Sequence, residues 1–238
     1  MNSNLQPAYI LHYRNYRETS FLVELLTKHA GRISVIARGA KRVKSPMKGL
    51  IQPFIPIAAA WRGKGSLPTL QTAETCGKPI GLRDDKLFSG FYLNELLTYI
   101  LHRHSPCENI FILYENVLQQ LSLAAAAEPV LRKFEKHLLH ELGYALQFNH
   151  EAHSENPIEE DKHYLFIPHE GFSAVQSTKA QTIFNGKNLL KIAADDFSNA
   201  DVLRDAKRLM RFALQPLLGN KMIKSRELFE GVKSRLET

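Results

Sequence analysis

Five cations fall within eleven residues in Arg38-Gly-Ala-Lys-Arg-Val-Lys-Ser-Pro-Met-Lys48. That spacing suits no covalent chemistry but suits a polyanion, because each Lys or Arg that meets a phosphate releases condensed counterions without reading sequence. Two further stretches add aromatic rings. Tyr13-Arg-Asn-Tyr-Arg-Glu-Thr19 interleaves Tyr13 and Tyr16 with Arg14 and Arg17, and Trp61 stands beside Arg62 and Lys64. Aromatic faces stack on unpaired bases while guanidinium groups hold phosphates; the plainer role for Tyr13, Tyr16 and Trp61 is packing. Near the C-terminus, Arg204, Lys207, Arg208 and Arg211 follow i, i+3, i+4, i+7 and form one helical stripe. A solvated basic face is the plain reading of that stripe, and a second contact for nucleic acid or for an acidic protein tail is the sharper one.

Motifs for turnover are missing. Gly39-Ala-Lys-Arg-Val-Lys-Ser45 lacks the G-x-x-x-x-G-K-[ST] pattern of a phosphate loop. There is no G-x-S-x-G and no H-E-x-x-H. His150, His153, His163 and His169 share one polar stretch that has no cysteine, and they read as exposed loop histidines.

The charge map sharpens the basic signal. The 238 residues carry a formal net charge of +7 and a pI near 9.4. Residues 25–73 hold nine basic and no acidic residues, residues 74–202 are net −7, and residues 203–235 are net +6. A 49-residue run without a carboxylate is a single-sign field of the kind that steers a partner. Hydrophobic residues at 44% exclude wholesale disorder. Cys76 and Cys107 cannot make a disulfide framework and suit a reducing compartment. The opening Met1-Asn-Ser-Asn-Leu-Gln-Pro7 has no basic region followed by an apolar run. No window reaches the roughly 20 apolar residues of a membrane span. A cytoplasmic protein without a membrane partner is expected.

The elements that must carry these residues change character along the chain. Short β-rich runs at Tyr9–His12, Phe21–Thr27, Arg32–Ala37, Leu50–Ala60 and Leu70–Thr75 are separated by glycine-marked turns. Five such strands fit an OB-fold barrel over residues 1–80, with the basic stretches as its connections. From Asp84 or Asp85, a candidate N-cap, the apolar spacing becomes helical and predicts a largely buried helix through Leu101. Helices are also predicted over Asn109–Ala126, Pro129–Leu142 (stopped by Gly143), Lys187–Ala194, Asp201–Leu218 and Ser225–Arg235. Between them lies an irregular insertion, about 149–185, with short strands at His163–Ile167 and Phe172–Gln176. The expected fold class is mixed α+β, with a barrel over 1–80 followed by a helical domain over 81–238.

Several segments together resemble the RecO family of bacterial recombination mediators. They are Gly31-Arg-Ile-Ser-Val-Ile-Ala-Arg-Gly-Ala-Lys41 running into Lys48-Gly-Leu-Ile-Gln-Pro-Phe54, then Tyr92-Leu-Asn-Glu-Leu-Leu97, Leu131-Arg-Lys-Phe-Glu135 with Glu141-Leu-Gly-Tyr144, and Lys224-Ser-Arg-Glu-Leu-Phe229. The resemblance implies a non-enzymatic protein that binds single- and double-stranded DNA and anneals strands coated with single-strand-binding protein. With RecR it would assist loading of RecA, in the cytoplasm at the nucleoid. Many relatives hold zinc with four cysteines in the insertion; His150 to about Val175 has none here, so no cofactor is expected. The resemblance also implies docking of the single-strand-binding protein's C-terminal tail on the helical domain, with Arg132 pairing its carboxylate beside Leu139 and Leu142. The expected DNA contacts are Arg14, Arg17, Arg38, Lys41, Arg42, Lys44, Lys48, Arg62, Lys64, Arg204, Lys207, Arg208 and Arg211, with Lys41, Arg42, Lys44 and Lys48 contributing most on the barrel. Two other readings of the basic loops are a generic OB-fold RNA-binding or translation-associated module and a nuclease using the His-rich stretch.

Overall fold

The structure is a computed structural model that describes residues 5–63, 65, 67–154, 156–176 and 180–225. The described residues through Leu123, with residues 221–225, make one compact unit, and Ala124–Asn220 makes a second.

In the first unit β1 (Gln6–Tyr16), β2 (Ser20–Thr27), β3 (Gly31–Ala37), β4 (Ile57–Arg62) and β5 (Thr69–Thr75) close a barrel in the order β1-β2-β3-β5-β4. Every pairing is antiparallel except β3 with β5, which meet in parallel at Ile36↔Thr69. This is the OB arrangement expected from the strand count. Alternation decides what faces inward. Val23 and Leu25 of β2 and Ile33 and Val35 of β3 join Ala8, Ile10, Ile57, Ala59 and Leu70 in a closed core. The β2–β3 hairpin turns at Gly31, whose φ is +68° and whose missing Cβ leaves room for the Ser105 carbonyl. On the outer surface Glu24 is buried, accepting from Arg32 Nη1 (2.8 Å), Ser34 Oγ (2.5 Å) and Arg103 Nη2 (2.9 Å).

The largest departures from the sequence reading are at the end of β1 and the start of β4. β1 does not stop at His12 but continues to Tyr16, pairing Tyr16 with Ser20. A register shift between Ile10 and His12 leaves the Leu11 carbonyl outside the ladder, and the Asn94 side-chain amide donates to it at 2.9 Å. The run from Leu50 forms turns, and strand begins only at Ile57, directly after Pro56; proline has no N–H to give a ladder.

The unit continues with α1 (Asp84–Ile100) and α2 (Glu108–Leu123). Arg83, not an aspartate, occupies the N-cap, and Asp84 and Asp85 sit in the first turn, where they favour the positive end of the helix dipole. α1 buries Leu93, Leu96, Leu97 and Ile100, and also Asn94. That amide is satisfied on both sides, since Tyr114 Oη donates to its Oδ1 at 2.5 Å. The Glu95 carboxylate accepts the backbone N–H groups of Lys224 and Ser225, both at 2.9 Å. Burial alone would raise its pKa, but these bonds hold it below the usual carboxylate range.

The second unit holds α3 (Ala127–Glu141), a sheet of β6 (His163–Ile167), β7 (Gly171–Val175) and β8 (Ile183–Asn185) in the order β7-β6-β8, then α4 (Gly186–Ala193) and α5 (Ala200–Leu218). Gly143 does end the third helix: its N–H reaches the His140 carbonyl and that of Tyr144 reaches Leu139, a Schellman closure. The two expected strands of the insertion form, and β8 adds a third. α5 buries Val202, Ala206, Leu209, Met210, Leu214 and Leu218, the apolar side of the predicted stripe. The helix expected over Ser225–Arg235 falls almost wholly outside the described residues. Among the described residues no helix is long and apolar enough to cross a membrane.

Candidate nucleic-acid interface

The β1–β2 turn and the end of β3 enclose a cleft of about 610 Å³, lined by Tyr16, Arg17, Glu18, Thr19, Ser20, Ile36, Arg38, Gly39 and Arg42. Three arginines separated by up to 25 positions therefore converge. Barrel pairing explains why: β2 and β3 are in register from Phe21↔Ala37 to Thr27↔Gly31, so residues just before β2 and just after β3 meet at one rim. Arg17, Arg38 and Arg42 are exposed, and none of them makes an ion pair among the described residues. A concave surface that gathers unpaired guanidinium groups concentrates positive potential and offers forked donors matched to phosphate.

The connection after β3 extends this surface. The N–H groups of Arg42, Ser45 and Lys48 donate to the carbonyls of Gly39, Arg42 and Ser45 at 3.0, 3.0 and 3.2 Å. These successive turns carry Arg42, Lys44 and Lys48 outward, all exposed. Arg14 is exposed on β1 rather than in a loop, in register with Leu22, and Arg62 is exposed at the end of β4. Lys64 lies outside the described residues. Of the rings, Tyr13 is exposed and meets Phe21 edge-on at 5.3 Å, whereas Trp61 packs against the barrel core. The Arg17 guanidinium lies 5.4 Å from the centre of the Tyr16 ring, so this arginine and ring form a stacked pair at the cleft edge.

The basic stripe on α5 is arranged differently. Arg204 pairs with Asp201 at 2.9 Å, Lys207 with Glu128 at 3.2 Å, and Arg208 with Asp205 at 2.9 Å. Arg208 also donates to the Ile183 carbonyl at 2.7 Å and lies 4.5 Å over the Phe184 ring. Arg211 is exposed with no ion pair among the described residues. Arg208→Ala is therefore expected to lower stability by about 1–2 kcal/mol while changing DNA affinity less than twofold, read by thermal melting and by fluorescence anisotropy.

Arg132 is buried, donating from Nη2 to Glu135 Oε1 at 2.8 Å, in an α3 face that also buries Leu139. Leu142 is half-buried at the end of that helix. In the insertion His153 Nε2 stands 3.1 Å from Glu170 Oε2. Among the described residues no group of three or more His, Cys, Asp or Glu is placed to hold a metal ion; a four-cysteine zinc centre needs thiolates, and residues 150–175 contain no cysteine. Thr19, Ser20 and Gly39 also line the cleft; the only sequence signal for them is their place within three residues of Arg17 or Arg38.

Comparison with known proteins matches both parts of the chain. The family model described as Recombination protein O N terminal covers residues 1–78, and that described as Recombination protein O C terminal covers residues 85–227. The DNA repair protein RecO of Photobacterium profundum is 43% identical over 225 residues, spanning 94% of this chain and 95% of that relative. That of Cellvibrio japonicus is 44% identical over 230 residues, 96% and 98% of the two chains. That of Coxiella burnetii is 40% identical over 224 residues, 94% and 96%. With the OB barrel and both family models in agreement with the sequence motifs, the chain belongs to the RecO family.

Proposed function

We propose that this chain is a DNA-binding mediator of recombinational repair. It anneals complementary single strands coated with single-strand-binding protein and, with RecR, assists RecA loading, without ATP and without cleaving DNA. The observation that carries the reading is the cleft of Arg17, Arg38 and Arg42 on an OB barrel. Strand annealing brings two polyanions together, and a surface of unpaired cations lowers that repulsion with no chemical step. Backbone contacts carry no sequence information, so strands remain free to shift until their bases pair. The relatives' shared designation as DNA repair proteins agrees with this role. The test is annealing of complementary oligonucleotides coated with single-strand-binding protein. Acceleration that needs that protein's C-terminal tail supports the reading; no acceleration, or equal affinity for RNA of the same length, contradicts it.

Tail docking on Arg132, Leu139 and Leu142 is part of the same proposal, with a structural condition. A terminal carboxylate reaching Arg132 must share the guanidinium with Glu135, which takes Nη2 at 2.8 Å while Nε has no hydrogen-bond partner among the described residues. Arg132→Ala is expected to weaken binding of a labelled tail peptide at least tenfold by fluorescence anisotropy. An affinity equal to wild type removes Arg132 from the site.

A further inference from the structure

Lys41 stands apart from the other cations of the basic connection. It is half-buried, whereas Arg38, Arg42, Lys44 and Lys48 around it are exposed. Its Nζ donates to the Arg17 carbonyl at 3.1 Å and lies 5.4 Å from the centre of the Phe21 ring. Its backbone N–H donates to the Thr19 carbonyl at 3.0 Å. One residue thus fastens two carbonyls of the β1–β2 turn to the segment after β3. That turn needs fastening, because Arg17 has φ +53°, a left-handed conformation that is strained for a non-glycine residue.

We propose that Lys41 is a positioning residue, a clasp that holds the Arg17 turn so that Arg17 faces Arg38 and Arg42 across the cleft. Sequence reasoning counts Lys41 among the phosphate ligands; the geometry commits its ammonium to the Arg17 carbonyl and the Phe21 face. The peptide plane that this bond fixes sets the direction of the neighbouring guanidinium. Two segments that are 24 residues apart then act as one rigid anion-binding rim. This role rests on the reading of the cleft as the DNA site.

The test combines Arg17→Ala, Lys41→Met and the double variant. Methionine keeps an apolar stem over Phe21 and removes the donor and the charge. Single-stranded DNA affinity is measured at 0.15 M salt, and amide hydrogen exchange of residues 16–20 is measured without DNA. One lost phosphate contact is worth about fourfold at that salt, so Arg17→Ala and Lys41→Met are each expected to lose about fourfold. The double variant is expected to lose no more than Arg17→Ala alone. Lys41→Met should speed exchange of the turn amides at least tenfold, and Lys41→Arg, which keeps a donor on a long stem, should restore most of the protection. Unchanged exchange, or a double variant that loses about sixteenfold, overturns the clasp. Faster exchange with DNA affinity untouched by Arg17→Ala leaves the clasp standing and overturns the DNA reading of the cleft instead.

Discussion

Replacing Arg17, Arg38 and Arg42 together with alanine is expected to lower single-stranded DNA affinity about 50-fold at 0.15 M salt and to reduce the slope of log K against log salt by about 2. The size follows from counterion release: each phosphate contact on a single strand contributes about 0.7 to the slope, and three are removed. Folding should be unaffected, because all three side chains are exposed and make no ion pair among the described residues. Annealing of coated strands should fall in step with affinity. The same number of charges removed from α5, by Arg204→Ala, Lys207→Ala and Arg208→Ala, is expected to change the slope by less than about 0.5, since those cations already face Asp201, Glu128 and Asp205. A salt titration of the two triple variants side by side checks this. Equal slopes in wild type and the barrel variant would mean the cleft holds no phosphate.

Gly31→Ala is expected to lower stability by about 3 kcal/mol, and the melting temperature by roughly 10 °C, a far larger effect than Gly39→Ala. The two glycines have the same φ of +68°, so the backbone strain of an added Cβ is equal, about 1 kcal/mol. The surroundings differ. A Cβ at Gly31 would lie 1.8 Å from the Ser105 carbonyl oxygen, whereas at Gly39 the nearest atom is Arg42 Cδ at 3.7 Å. The obstruction at Gly31 is backbone, and that backbone is tied down. The His104 N–H donates to the Arg32 carbonyl at 2.9 Å and Arg32 Nε donates to the Leu101 carbonyl at 2.9 Å. Thermal denaturation of both variants reads the difference directly, and equal losses would show that the segment after α1 yields to the barrel.

The contrast also shows what sequence could and could not reveal. Glycine at position 31 was legible as a turn, because β-rich runs stand on both sides of it. The close approach of Ser105, 74 positions along the chain, had no local signal. The barrel itself was legible because Val23, Leu25, Ile33 and Val35 alternate at strand period and glycines punctuate the runs. The end of β1 is not visible in sequence, because Tyr13-Arg-Asn-Tyr16 is polar. Its four residues are exposed or half-buried on both faces, so they show no alternation while still pairing with β2. β8 has only three residues, too few to carry a period.

At the interface the same division holds. The basic connection after β3 was conspicuous, and its cations do lie outward except Lys41. Spacing alone predicts the α5 stripe as a helical face, but the pairing of Lys207 depends on Glu128, 79 residues away, which spacing along one helix cannot show. Arg132 is the opposite case: Glu135 stands three positions on, the i, i+3 partner that a helix provides, and the pair was available to sequence reasoning.

Backbone amide exchange across the whole protein, with and without a single-stranded oligonucleotide, decides whether DNA sits in the arginine cleft. Exchange is expected to slow at residues 16–20 and 38–48, the two sides of that cleft, with α5 unchanged. Slowing confined to α5, with the cleft amides indifferent to DNA, would contradict that placement.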